Sequence, residues 1–174
     1  MPGAVFLADE EGEIEFRTIE EEDVEFLQET LNDPHVRRTT KTVAPITRQQ
    51  EREWVNSIGE DDSVQLLICV DDRPVGNITL FPPNEIWGVA EIAYMIAPDE
   101  WGNGYATDAV DRLCAYAFDE RRLSKVFARV FSTNEASCRV LEKVGFVKEG
   151  VFRKEVYLGG ERIDMYRYGL VKDE

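Results

Sequence analysis

Gly102-Asn103-Gly104 stands between a β-like apolar run at residues 90–97 and a helical pattern at residues 106–118. The chemistry open to such a strand–loop–helix junction is anion binding. Amides at a helix N-terminus lack helical acceptors, and the helix dipole adds partial positive charge there. Glycines let an anion approach the main chain. The loop therefore reads as a phosphate or pyrophosphate cradle, with an ordinary turn as the competing reading. A mononucleotide site is less well supported, because there is neither a GxxxxGK[ST] lysine nor a full GxGxxG. Asn134 is placed to cap a second helical pattern, with Ser137 one turn in. Cys69, Cys114 and Cys138 show no CxxC spacing and read as small buried residues of a cytosolic protein. Cys138 neighbours Ser137, but the single histidine, His35, is remote in sequence and reads as a loop residue, which argues against a cysteine nucleophile.

The elements that must position these residues follow from periodicity. Residues 1–12 carry none and read as a loose leader too acidic for a signal or transit peptide. A strand is expected at 13–18. Thr18-Ile19-Glu20-Glu21 then reads as a capping box, with Val24, Leu27 and Leu31 at helical spacing up to Asn32-Asp33-Pro34. Thr47-Arg48-Gln49-Gln50 opens a second helix bearing Trp54 and Ile58. The intervening polar stretch, 36–46, reads as a connector or as part of a substrate lid. Residues 64–70 and 75–81 form a hairpin around Asp71-Asp72-Arg73-Pro74, and 86–96 a further strand. After the glycine loop, Ala106, Ala109, Val110, Leu113 and Ala117 share one helical face; 125–131 is a strand. The Asn134 helix buries Ala136, Val140, Leu141 and Val144 and ends at Gly145, with Phe146 as the following apolar contact. Gly159-Gly160 joins two last strands, 146–158 and 161–171. The central strand–helix–strand unit requires a right-handed crossover, and a mixed sheet with helices on its faces packs this order economically.

The 174 residues fit one domain at 13–174. Net charge is −15, from 35 Asp and Glu against 14 Arg and 6 Lys, which argues against nucleic acid as a direct ligand. An acidic cleft for a cationic substrate is one reading of that charge. Work in high salt is another, and the scarcity of lysine favours it. No apolar run reaches membrane-spanning length.

Three segments in order carry a family resemblance: Ala90-Glu91-Ile92-Ala93-Tyr94-Met95-Ile96; Trp101-Gly102-Asn103-Gly104-Tyr105-Ala106-Thr107-Asp108-Ala109; and Asn134 through Glu135-Ala136-Ser137-Cys138-Arg139-Val140-Leu141-Glu142-Lys143-Val144-Gly145 to Phe146. With Asn32-Asp33-Pro34 they resemble the GNAT N-acetyltransferases over nearly all of 13–171, and within them the branch that acetylates N-terminal amines of ribosomal proteins. The resemblance implies an α/β GNAT fold, a mixed and mostly antiparallel twisted sheet with helices on both faces and a central βαβ cofactor unit. It implies acetyl-CoA as acetyl donor and no metal. The family's cofactor frame falls on Trp101–Ala106. Trp101 replaces the usual basic or amide residue, which puts in doubt a side-chain contact there. Ile96, Trp101, Gly102, Asn103, Gly104, Tyr105, Ala106, Thr107 and Asn134 form the implied cofactor set.

The implied reaction is attack of a neutral amine on a thioester. An α-amine, with a pKa of roughly 7.7–8.0, asks far less of a base than a lysine near about 10.4. The catalytic candidates are Glu91, Ser137 and Asn134. Glu91 is the expected base, its pKa raised if it lies between Ile92, Tyr94 and the opposing helix; alternation groups it instead with Ala93 and Met95, toward solvent. The resemblance places Ser137 near the CoA sulfur as a proton source, and gives Asn134 a bond to the pantetheine arm or a water beside its capping role. Tyr94, Tyr105, Tyr157 and Tyr166 are further candidate acids that sequence cannot place. Arg37, Arg38 and Lys41 are either exposed loop charges or contacts for CoA phosphates or a substrate carboxylate. Trp54 and Trp87 read as core residues before pocket residues. The acceptor is a protein N-terminus in the leading reading and a small amine, amino acid or polyamine in the next. From another class comes a non-catalytic acyl-CoA-binding module. A cytoplasmic monomer or a homodimer through the terminal hairpin, without membrane or nucleic acid, completes the expectation.

Overall fold

The computed structural model describes residues 3–174; Met1 and Pro2 lie outside the described residues. Among the described residues eight strands form one sheet: β1 (Val5–Ala8), β2 (Ile14–Thr18), β3 (Val64–Val70), β4 (Arg73–Leu80), β5 (Val89–Ile96), β6 (Lys125–Phe131), β7 (Val147–Leu158) and β8 (Glu161–Val171). Their spatial order is β1-β2-β3-β4-β5-β6-β8-β7, antiparallel except for β5 beside β6. The helices are α1 (Val24–Asn32), α2 (Pro34–Arg37), α3 (Arg48–Ser57), α4 (Tyr105–Asp119) and α5 (Glu135–Val144). The mixed, mostly antiparallel sheet and central βαβ unit are those expected. No helix among the described residues is long and apolar enough to cross a membrane.

Alternation along β3 shows how the sheet is sandwiched. Leu66, Ile68 and Val70 join the larger core, with Ala109, Val110, Leu113 and Ala117 of α4 and Leu141 of α5. Leu67 and Cys69 face the other way, onto Val24 and Leu27 of α1 and Val55 of α3. Successive side chains of a strand point to opposite faces, so the helices cover both.

Three local expectations give way. Residues 5–8 are not a loose leader but an edge strand. Leu7 is buried in the larger core, Phe6 meets the Tyr116 ring edge-on at 5.6 Å, and the Ala8 carbonyl accepts from Arg112 Nε at 2.8 Å. The first helix is not boxed at Thr18. That hydroxyl accepts from the Ala4 amide and donates to Glu20, while the Glu20 amide donates to the Asp23 carboxylate at 2.8 Å, opening a short 3-10 turn before α1. The second box holds, with Thr47 and Gln50 exchanging bonds of 2.8 and 3.1 Å. Residues 86–88 are not strand: Asn84 accepts the amides of Ile86 and Trp87 on its side chain and that of Gly88 on its carbonyl, folding the segment back. This leaves Trp87 74% exposed, whereas Trp54 packs against the smaller core; neither lines the cleft described next.

Candidate active site

The site begins where two strands part. β5 and β6 pair in parallel at Val89↔Lys125, Ala90↔Val126 and Glu91↔Phe127, and no further. Beyond that point Ile92–Ile96 stays with β4, from Leu80↔Ile92 to Gly76↔Ile96, while Ala128–Phe131 stays with β8. The resulting split opens into a cleft of about 1240 Å³. Its walls come from β5, β6, the glycine loop, α5 from Glu135 to Lys143, α2 with the segment after it, and the 158–159 hairpin tip.

At one end lies the loop. Gly102 and Gly104 have φ of +85° and +80°, a region L side chains rarely adopt, and a Cβ on either would meet nothing within 4 Å. The first intrahelical bond of α4 runs from the Asp108 amide to the Gly104 carbonyl at 3.1 Å. The amides of Tyr105, Ala106 and Thr107 therefore have no helical acceptor, and all three residues line the cleft. Open amides and open space beside two glycines fit the diphosphate of coenzyme A. Ile96, Trp101, Gly102, Gly104 and Asn134 also line the cleft; Asn103 does not, because its side-chain amide turns back onto the Glu100 carbonyl at 3.0 Å. Trp101 anchors the loop instead of reaching outward. Its indole N–H donates to the Ile96 carbonyl at 2.8 Å, and His35 meets its ring edge-on at 6.4 Å.

Midway, Asn134 caps α5 as expected, accepting the Ser137 amide at 3.2 Å. That bond holds Ser137 in the first turn, where its Oγ lies 2.5 Å from the Tyr94 hydroxyl. Burial pushes the Tyr94 phenol up to about 12, and the bond to Ser137 pulls the other way. The pair keeps a hydroxyl proton inside the cleft near neutral pH. By sequence Tyr94 is one of four candidate tyrosines; its alternation with Ile92 and Ile96, both core residues, is the signal that it faces α5.

Glu91 takes the opposite face. It is not enclosed by Ile92, Tyr94 and a helix; alternation turns it with Ala93 and Met95 away from the α4 core. There Arg129 grips it with two bonds, Nε to Oε1 at 2.8 Å and the terminal nitrogen to Oε2 at 3.1 Å. Sequence reasoning missed Arg129. It is the charged member of an alternating strand, and nothing local says which carboxylate it meets. Arg38, Thr39, Thr40 and Lys41 line the same cleft, so the 36–46 stretch does reach the site; Arg37 is not among the lining residues. Cys69 and Cys114 are buried, with thiols pushed up to about 11 and about 12 chiefly by that burial. Cys138, half-buried beside Ser137, is also a free thiol.

A family description, "Acetyltransferase (GNAT) domain", matches residues 13–147. The chain is 45% identical over 83 residues to the uncharacterized N-acetyltransferase YoaA of Bacillus subtilis, a match spanning 48% of this chain and 47% of that one, so about half the length of that relative. It is 32% identical over 122 residues to the putative ribosomal N-acetyltransferase YdaF of the same organism, covering 70% and 67% of the two chains. In fold it is similar to RimL, a ribosomal L7/L12 α-N-protein acetyltransferase solved with coenzyme A (TM-score 0.87, 18% identity, 98% and 99% covered). It is likewise similar to the Vibrio cholerae spermidine N-acetyltransferase solved with CoA and spermine (TM-score 0.86, 23% identity, 92% and 96% covered). The parted strands, the amide cradle and the matched family description agree: this chain belongs to the GNAT family of acetyltransferases.

Proposed function

We propose that this protein moves the acetyl group of acetyl-CoA to a primary amine, and that the amine is the α-amine of a protein N-terminus. The observation that carries the acceptor is the charge of the cleft. Its three acids, Glu91, Glu100 and Glu135, are each paired with an arginine: Arg129, Arg73 and Arg139. Arg38, Lys41 and Lys143 line it with no ion pair among the described residues. A cleft with spare positive charge suits an anionic cosubstrate and gives a polycation little to bind. The name of the YdaF relative points the same way. The −15 charge of the whole chain favours the other reading, a polyamine acceptor, and a Vibrio cholerae spermidine N(1)-acetyltransferase is 24% identical over 165 residues.

Acetyl-CoA supplies an activated acyl thioester. The amides of residues 104–107 hold its diphosphate, and the parted strands admit its pantetheine arm. Glu91 orients the amine and accepts its proton, directly or through water. Only about a tenth to a fifth of an α-amine is neutral near pH 7, but that is enough for a modest base. Tyr94 and Ser137, from the other face, return a proton to the departing thiolate. Asn134 keeps Ser137 in place.

Thiol release from acetyl-CoA, measured with a panel of N-terminal peptides, spermidine and free amino acids, tests this. Peptides are expected to be turned over best. Spermidine turnover without peptide turnover overturns the acceptor, and silence with every amine despite CoA binding overturns the transfer.

A further inference from the structure

The Glu91–Arg129 fork lies at a particular place. The β5–β6 ladder ends at Glu91↔Phe127, and Arg129 stands two residues further along β6, on the same face, where the backbone no longer joins the strands. The fork is the polar tie across the mouth of the split on that face. Both side chains are open to the cleft, Arg129 40% exposed and Glu91 23%. Arg167, the register partner of Arg129 on β8, is committed elsewhere. Its guanidinium lies 3.7 Å from the centre of the Phe127 ring and 3.8 Å from Glu149. Glu100 is held by Arg73 at the loop end, and Glu135 by Arg139 on α5. Glu91 is thus the one acid among the described cleft residues on the β5–β6 floor.

We propose that Arg129 sets acceptor specificity: by forking Glu91 it leaves a neutral pair on the cleft floor that a neutral α-amine can use and a polycation cannot. This rests on the reading of the site as an amine acetyltransferase. A carboxylate offers about four acceptor positions, and a bidentate guanidinium takes two. An amine N–H can bond to those that remain. An ammonium, by contrast, gains little from a carboxylate already neutralised and meets the adjacent guanidinium as a like charge. Specificity of this sort depends on a repulsive element, and here that element is Arg129.

The test compares wild type with Arg129→Gln, Arg129→Lys and the double variant Glu91→Gln with Arg129→Gln. Two quantities are read: kcat/KM for spermidine relative to an N-terminal peptide, and calorimetric affinity for spermidine of the CoA-loaded protein. Arg129→Gln is expected to raise the spermidine-to-peptide ratio and the spermidine affinity by about tenfold or more, and the double variant to lose that gain. Arg129→Lys, which keeps the charge without the fork, moves both readings the same way by less; it serves where the glutamine variant does not fold. An unchanged or lower ratio and affinity in a folded Arg129 variant overturns the proposal. Wild-type inactivity toward every amine would instead overturn the acetyl-transfer reading, while the spermidine affinities would still decide the role of Arg129.

Discussion

Tyr94 and Glu91 are three residues apart on one strand, yet they serve opposite walls of the cleft. Odd spacing along β5 puts the phenol against α5 and the carboxylate against β6. The proposed proton delivery and proton uptake are therefore separable by mutation. Tyr94→Phe keeps the ring and removes the hydroxyl. It should lower kcat by about tenfold to a hundredfold while CoA affinity, read by calorimetry, stays unchanged. With the Tyr94 phenol raised to about 12, its activity contribution should be flat between about pH 6 and about pH 9. Glu91→Gln should likewise reduce turnover by about tenfold or more without changing CoA affinity, and unchanged turnover would remove Glu91 from the reaction. A second carboxylate shows the sign of burial alone. Glu51, 5% exposed on α3, has its pKa raised above 4.5 by desolvation. The folded state then holds the proton more tightly than the unfolded chain, so stability falls as pH rises from the unfolded value to the folded one. Glu51→Gln should raise the melting temperature near neutral pH, and the gain should vanish near about pH 4.

The glycine loop and the helix behind it act as one element. Nothing stands within 4 Å of a Cβ built on Gly104, so Gly104→Ala meets no clash; its cost comes from holding an alanine at a φ of +80°. That conformation costs about 1–2 kcal/mol, which should appear as a lower melting temperature. The added methyl also stands where an anion would approach the amides, so CoA affinity should fall by about tenfold in the same calorimetric measurement. At the other helix the order of effects differs. Asn134 closes the first turn of α5 and Gly145 the last, its amide bonding to Leu141 and Glu142 carbonyls at 3.1 Å each. Both caps are short-range devices, and this is why both were visible in the sequence.

At the scale of the molecule, 35 acidic residues face 20 basic ones. Exposed pairs such as Arg48–Glu25 and Arg52–Glu21 contribute about 0–1 kcal/mol each and weaken with salt. The excess of 15 negative charges opposes folding by mutual repulsion, and salt relieves it. With repulsion expected to outweigh what the exposed pairs contribute, the melting temperature should rise as salt increases from about 0.1 M to about 1 M. A fall would show that the ion pairs dominate and would remove high-salt adaptation as the reason for the composition. Against this negative background the cleft keeps three cations without an ion pair among the described residues, Arg38, Lys41 and Lys143. Mean charge and site charge differ in sign, and the proposed N-terminal acceptor rests on the site charge.

The caps at Thr47, Asn134 and Gly145, the turns, the glycine loop, the strands β3 to β6 and the alternation along β5 were legible in the chain because each depends on residues within a few positions of one another, whereas the Thr18 hydroxyl is drawn to Ala4 and Glu20 instead of boxing a helix. The same locality gave the order of elements and, with the resemblance, the GNAT fold. Residues 5–8 escaped because a four-residue edge strand has little periodicity and is held by Thr18, Arg112 and Tyr116 from elsewhere. Residues 86–88 misled because Ile86 and Trp87 suit a strand, while Asn84 decides otherwise. Tertiary structure alone decided where β5 and β6 part, that Tyr94 meets Ser137, and that Arg129 closes on Glu91. The Tyr94–Ser137 pairing joins β5 to α5 over 43 positions and the Arg129–Glu91 pairing joins β5 to β6 over 38, across the end of the parallel register. No local propensity encodes such a register; it is set by packing α4 and α5 against one face of the sheet.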